Sequence, residues 1–186
     1  MKKIFSLLCI LFLILIHCQN TEFSINDDGL TKYVVTSIPG ISKEASYKKT
    51  MDWINKKFNT PEKNIKGTIE NEYIRIEAVS YSAMRFGGIG GAMTKPVKFQ
   101  IEVSFKDHKY KFEVAELQEE NYMFPQFSNS PFMNLDLSKK SEGVRKPNGQ
   151  FRGRYRFADD LVVYFNFLNS KLKDYITNTN QTDDNW

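Results

Sequence analysis

The sequence predicts an α+β fold: two layers, an antiparallel sheet of about five strands with two helices on one face, in the order β-α-β-β-β-β-α. Two patterns carry this. Val97, Phe99, Ile101, Val103 and Phe105 alternate with Lys98, Gln100, Glu102 and Ser104, and after Lys106-Asp107-His108-Lys109 the chain returns through Tyr110, Phe112 and Val114. Strict alternation of this kind marks strands with one covered and one wet face. The second pattern is a pair of apolar helical stripes. Tyr47, Met51, Ile54 and Phe58 form one; Leu161, Tyr164, Phe165, Leu168, Leu172 and Ile176 form the other. Helices of that type must bury their stripes against the apolar side of the sheet.

The start of the chain is of another kind. Lys2 and Lys3 precede an almost unbroken apolar run over residues 4–16. That is shorter than the about 20 apolar residues of a spanning helix. A basic start and a short apolar run are the form of an export leader. Residues 1–18 are therefore expected to be a signal peptide, and the protein to be exported, periplasmic or secreted. Two endings stand open. Leu15-Ile16-His17-Cys18 is arranged like a lipobox, in which lipidated Cys18 would tether the protein to a membrane, although His17 is larger than the usual residue there. In the other, ordinary cleavage follows Cys18, a small residue at the cut.

Cys9 and Cys18 are the only cysteines. A chain without the leader would carry no disulfide, zinc-thiolate site or cysteine nucleophile. The remaining length of about 165 residues is enough for one packed core. The formal charge is +4, from 26 basic and 22 acidic residues; loss of Lys2 and Lys3 leaves 24 against 22, a formal +2. Nucleic-acid binding calls for a one-signed excess on one face, so nucleic acid is not an expected partner.

Residues 19–31 read as a polar arm with a turn at Asn26-Asp27-Asp28-Gly29. Residues 32–38 are the first strand, stopped by Pro39-Gly40. Ser42 is a good helix N-cap, and Glu44 suits the positive end of the helix dipole. The helix over 42–58 ends at Asn59-Thr60-Pro61, with Trp53 widening its buried face. Residues 65–69 and 73–82 are strands around a turn at Asn71-Glu72, and 86–96 form a glycine-rich loop. Residues 118–157 are an excursion, aromatic at first (Tyr122, Met123, Phe124, Phe127, Phe132, Met133), then basic (Lys139, Lys140, Arg145, Lys146, Arg152, Arg154, Arg156). A strand or hairpin is expected near Pro147-Asn148-Gly149. Asp159 and Asp160 cap the last helix, the single domain closes at residue 176, and 177–186 read as a disordered tail.

Several of these segments, in their order, resemble a bacterial family of exported proteins of unknown function with a TATA-binding-protein-like (TBP-like) fold. The matching parts are Tyr33-Val34-Val35 through Pro39-Gly40, the helix with Tyr47 and Trp53, Ile69-Glu70-Asn71-Glu72-Tyr73-Ile74, and the strand pair over 99–105 and 109–114. The resemblance covers roughly residues 30–117 and, loosely, the last helix. It implies a fold and an exported location, and no activity or functional residue. Shape shared with the TATA-binding protein does not transmit DNA binding.

No catalytic set assembles in the sequence. Gly87-Gly88-Ile89-Gly90-Gly91 lacks the Gly-Lys-Ser/Thr of a phosphate loop and joins strands, so it reads as a hairpin loop. His108, the one histidine outside the leader, reads as a solvated turn residue. Glu119-Glu120, Asp159-Asp160 and Asp183-Asp184 are adjacent in sequence only, and solvation or capping accounts for them. Arg152, Arg154 and Arg156 alternate with Phe151, Tyr155 and Phe157 like a solvated strand, yet arginine among aromatics also suits anionic sugars or lipid headgroups. The expected function is a non-catalytic binding or interaction module of the cell envelope or the exterior. Its partner would be an envelope protein or glycan, with no cofactor or metal, and with membrane contact only through the leader or a lipid on Cys18. Contact residues would be Arg145, Arg152, Arg154 and Arg156 on the excursion, and Lys98, Gln100 and Glu102, with Lys111 and Glu113, on the polar sheet face. The alternatives are a carboxylate-based hydrolase of envelope glycans or lipids, using Glu119, Glu120, Asp136, Asp159 or Asp160, and a structural subunit of an envelope assembly.

Overall fold

A computed structural model describes residues 20–121 and 131–178. The expected leader with Cys9, His17 and Cys18, the stretch holding Tyr122, Met123, Phe124 and Phe127, and the residues past Asn178 lie outside the described residues. The strands are β1 (Ile25–Asn26), β2 (Gly29–Leu30), β3 (Tyr33–Ser37), β4 (Ile65–Ile69), β5 (Tyr73–Ser80), β6 (Arg85–Gly88), β7 (Gly91–Thr94), β8 (Val97–Lys106), β9 (Lys109–Glu120) and β10 (Phe132–Asn134). The helices are α1 (Lys43–Lys57), the single turn α2 (Pro61–Asn64) and α3 (Asp159–Thr177).

The main sheet runs β10-β9-β8-β5-β4, antiparallel throughout, and β3 also pairs with β9. β3 lies against residues 109–113 of β9 and β10 against 118–120. Both use the edge of β9 that β8 leaves open, so six strands fill five positions. The predicted order is observed for β3, α1, β4, β5, β8, β9 and α3, to which the fold adds α2, β10 and the β1-β2 and β6-β7 hairpins. β9 is longer than the sequence suggested, running through residues first assigned to the excursion.

The alternating residues of β8 are buried on the core side, where Phe99 meets Phe165 of α3 edge-on at 5.4 Å between ring centroids. Ser42 caps α1 as expected, accepting a hydrogen bond from the Ala45 N–H at 3.2 Å. The buried face of α1 is rotated from the predicted stripe. Ser46, Thr50, Trp53 and Ile54 are buried, while Tyr47, Met51 and Phe58 are only half-buried. Ser46 and Thr50 are small and let the helix sit close, and their hydroxyls donate to the carbonyls of Ser42 and Ser46 at 2.9 and 2.8 Å, so neither is left unsatisfied.

The segment read as an arm belongs to the body. Phe23 is buried, edge-on to Phe112 at 5.8 Å. The Asn166 side chain of α3 holds its backbone from both sides, accepting from the Phe23 N–H at 2.7 Å and donating to the Phe23 carbonyl at 3.0 Å. The turn at 26–29 closes the small β1-β2 hairpin. Buried hydrophobic residues run from Phe23 to Ile176, so a chain starting at Asn20 contains this whole core.

Two further features organise the sheet. β9 carries a bulge: Ile101 pairs with Val114 and Gln100 with Glu116, leaving Ala115 extra. Tyr110, Phe112 and Val114 face the core before the bulge, and Leu117 and Glu119 face it afterwards. The β8-β9 turn also grips the connection into α1. His108, at φ 67°, accepts from the Gly40 N–H through Nδ1 at 3.1 Å, and Asp107 accepts from the Lys43 N–H at 3.0 Å. His108 is exposed, as expected of a turn residue, but it has a structural partner the sequence did not reveal.

A buried polar relay joins sheet and helix. The Tyr110 hydroxyl donates to Asn169 Oδ1 at 2.8 Å, and Asn169 Nδ2 donates to Thr36 Oγ1 at 3.0 Å. Burial holds the Tyr110 hydroxyl well above its ordinary pKa. Replacing Asn169 by Ala takes the side-chain partner from Thr36 and leaves Tyr110 only the residue 169 carbonyl at 3.1 Å, and urea unfolding should show a loss of about 1–3 kcal/mol.

Candidate functional site

The cations predicted to contact a ligand fall into two electrostatic settings. On the polar sheet face they are matched. Lys98 and Lys66 lie 3.1 and 3.5 Å from the Glu77 carboxylate, and Gln100 donates to it at 3.2 Å. Arg75 pairs with Glu102 at 2.7 Å. Lys111 and Lys32 flank Glu113 at 2.5 and 3.5 Å. Cross-strand neighbours of opposite charge are what an exposed sheet face favours. Burial alone would raise the carboxyls of Glu77 and Glu113. The bonds and charges of Lys98, Gln100 and Lys66 on the first, and of Lys111 and Lys32 on the second, hold both below the usual range. Lys98, Gln100 and Glu102 are therefore already engaged with one another's neighbours.

The excursion is different. Lys139, Lys140, Glu142, Arg145, Lys146, Pro147 and Arg152 line a cleft of about 370 Å³. Five side chains there are cationic and one is acidic. Lys139 reaches Asp27 at 3.4 Å, an aspartate that is itself 78% exposed. Among the described residues, Lys140, Arg145, Lys146 and Arg152 have no carboxylate partner. Arg145 spends its guanidinium on the carbonyls of Leu137, Gly149 and Asn26 at 2.9, 2.8 and 3.2 Å and stacks on Phe151 at 3.9 Å. It shapes the cleft while leaving its charge unbalanced. Arg152 Nε donates to the Glu142 carbonyl at 2.7 Å. The expected hairpin at Pro147-Asn148-Gly149 is present in its smallest form, with one bridge from Arg145 to Phe151.

Arg154 and Arg156 leave this group, because the expected strand over 151–157 does not form. Arg152 N–H bonds to the Val144 carbonyl, and the Tyr155 and Ala158 N–H groups then bond back three residues, to Arg152 and Tyr155. The chain instead follows a 3-10 turn over Gly153–Tyr155. Arg154 is turned inward to Glu119 at 2.6 Å, and the Tyr155 hydroxyl donates to the same carboxylate at 2.5 Å. Glu119 is 2% exposed, on the core side because of the bulge at Ala115. Burial, followed by the hydrogen bond and charge of Glu119, pushes the Tyr155 hydroxyl up to about 12. Burial depresses the nearby Lys95, helped by the charge of Arg154 and opposed by Glu119 and Glu120.

Of the carboxylates raised as acid-base candidates, Asp136 and Asp159 are exposed as expected, while Glu119, Glu120 and Asp160 are placed otherwise than by solvation. Glu119 is held by Arg154 and Tyr155. Glu120 has Oε2 buried with no hydrogen-bond partner among the described residues. Asp136 accepts from the Ser138 N–H at 2.8 Å. Asp159 and Asp160 sit inside the first turn of α3, whose N-cap is Ala158 without a side-chain bond. Asp160 instead takes Arg85 in a two-pronged pair at 2.7 and 2.8 Å and accepts its backbone N–H at 3.0 Å. The Arg85 guanidinium holds the Asp160 carboxyl below its usual range, against the effect of burial. The glycine-rich stretch is a second hairpin, β6-β7, with Ile89-Gly90 as its two-residue turn. No group of three or more His, Cys, Asp or Glu is placed to hold a metal ion, and no helix is long and apolar enough to cross a membrane, among the described residues.

A six-stranded antiparallel sheet backed by two helices defines the TBP-like class of α+β domain. Residues 33–120 match the family model described as a domain of unknown function (DUF4468) with TBP-like fold. Two crystal structures share the fold. One is a DUF4468 family protein from Bacteroides ovatus ATCC 8483, at 13% identity and TM-score 0.58, covering 87% of this chain and 94% of that one. The other is a TBP-like protein from Parabacteroides distasonis ATCC 8503, at 12% identity and TM-score 0.53, covering 78% of this chain and 91% of that one. No curated protein matches the chain.

Two outcomes test this electrostatic arrangement. Arg154→Met leaves Glu119 buried without its cation and should cost roughly 3–5 kcal/mol by urea unfolding, whereas Glu119→Leu with Arg154→Met should recover most of that loss. Glu77, Glu113 and Asp160 have lowered native pKa values, so the unfolded chain takes up protons first as the pH drops. Their contribution is complete above the ordinary carboxylate range and disappears as pH falls through the lowered values, so the thermal midpoint should decline across that window. The Lys98→Met variant should show a shallower decline.

Proposed function

We propose that the protein is a non-catalytic binding module acting outside the cytoplasm, and that it takes an anionic group of an envelope partner in the excursion cleft. The observation that carries this reading is the contrast in charge pairing. The sheet-face cations are neutralised within the fold, while those of the cleft are gathered with one acid among them. Like charges held close raise the free energy of the domain, and an anion in the cleft relieves that repulsion. The leader over residues 1–18 supports a place for the protein beyond the inner membrane. The engagement of Glu119 with Arg154 and Tyr155 favours binding over carboxylate hydrolysis, because that carboxylate is committed to holding the excursion in place.

Dextran sulfate, with neutral dextran as control, provides the test. The wild-type protein should bind the sulfated polymer alone, less tightly as salt rises. Lys140→Glu with Lys146→Glu should weaken binding at least about tenfold, on a scale of roughly 1 kcal/mol for each surface charge contact. Equal binding of neutral dextran, or no response to charge reversal, would overturn the reading.

A further inference from the structure

The β6-β7 hairpin presents an apolar side chain where hairpin chemistry does not ask for one. Two-residue turns favour Gly, Asn and Asp. Here Gly90, at φ 92°, supplies the left-handed position, but its turn partner is Ile89, whose side chain is fully exposed. Met93 on the outgoing strand is exposed as well. The backbone just below that turn, by contrast, is fixed. A Cβ on Gly87 would stand 1.9 Å from the Gly153 carbonyl, so only glycine permits that approach. Arg156 donates to the Gly91 carbonyl at 2.9 Å, and buried Phe86 meets Tyr155 edge-on at 6.2 Å. A firm base therefore holds out an apolar tip.

That base adjoins the cationic cleft. Arg152 lines the cleft, and the next residue, Gly153, is the one packed on Gly87. Phe157 lies between the guanidiniums of Arg85 and Arg156, 4.6 and 4.8 Å from its ring centre. Arg85 is neutralised by Asp160, so the positive charge of this surface comes from Arg156 and the cleft.

We propose that this surface docks on an anionic lipid bilayer, with Ile89 entering the interface and Lys140, Lys146 and Arg152 meeting headgroup phosphates. The proposal rests on the anion-binding reading and names a lipid headgroup as the source of the anion. It adds a membrane contact made by the folded domain to the one expected from the leader or Cys18. The complementarity has two parts. Each cation near an anionic surface strengthens binding about fivefold, and one inserted apolar residue adds a comparable, salt-independent share. Neither suffices alone, and peripheral attachment takes two such signals together.

The test uses the chain from Asn20, which retains the core and lacks the apolar leader. It is sedimented with vesicles of phosphatidylcholine mixed with phosphatidylglycerol, with phosphatidylcholine vesicles, and titrated with dextran sulfate. The protein should sediment with the anionic vesicles only. Ile89→Asp should lower vesicle partitioning about tenfold while leaving the thermal midpoint and dextran sulfate affinity unchanged. Lys140→Glu with Lys146→Glu should lower both vesicle and polymer binding. Polymer binding without vesicle binding, or vesicle binding indifferent to Ile89→Asp, overturns the bilayer proposal and leaves the anion reading intact. Wild-type protein that binds neither removes both.

Discussion

Glu119 reaches the core face of the sheet because β9 carries an extra residue at Ala115, and there Arg154 and Tyr155 meet it. A carboxylate in that position is tolerable only when paired and hydrogen-bonded, since an isolated buried charge costs several kcal/mol. The consequence runs outward along the chain. Arg154 and Tyr155 lie in the 3-10 turn, so Glu119 fixes where the turn sits, and the turn fixes Arg152 on one side and Arg156 on the other. The first lines the basic cleft and the second braces the β6-β7 hairpin. A sheet defect, a buried ion pair and two surface features are thus one mechanical unit.

The distribution of charge follows the same geometry. A regular sheet places side chains of neighbouring strands face to face, so acids and bases on β4, β5 and β8 find partners by register, while Lys111 and Glu113 meet along one face of β9. The excursion has no such lattice. Its arginines bond chiefly to backbone carbonyls, as with Arg145 on Leu137, Gly149 and Asn26. A carbonyl satisfies donors without cancelling charge. The fold therefore stabilises the excursion while leaving its positive potential open to solvent, which is the condition an anion site requires.

The sheet and helices were legible in the sequence because their signals are local and periodic. β8, the first half of β9 and α3 each repeat a simple spacing, and the Ser42 cap is a short-range rule. The bulge was legible only in retrospect: Val114-Ala115-Glu116-Leu117 breaks the alternation at one point, and strand reading beyond it then depends on which residue is extra. The rotated face of α1 was hidden because small polar Ser46 and Thr50 do not announce burial. The arginines of the excursion misled through genuine alternation. Nothing local distinguishes a strand from a 3-10 turn when the deciding contact, Glu119, lies 35 residues away. The pairing of Arg85 with Asp160, 75 residues apart, was invisible for the same reason. Lys139, Lys140 and Lys146 were visible as a basic run, but only the fold shows which cations remain without a carboxylate.

Hydrogen exchange at backbone amides tests the dependence on Glu119 most directly, because it reads opening segment by segment. In the Glu119→Gln protein, amides bonded within residues 139–158, among them those of Arg152 and Tyr155, should lose protection, while β5, β8 and the β3-paired half of β9 keep theirs. Uniform loss across the sheet, or an excursion as protected as in the wild type, would contradict the account.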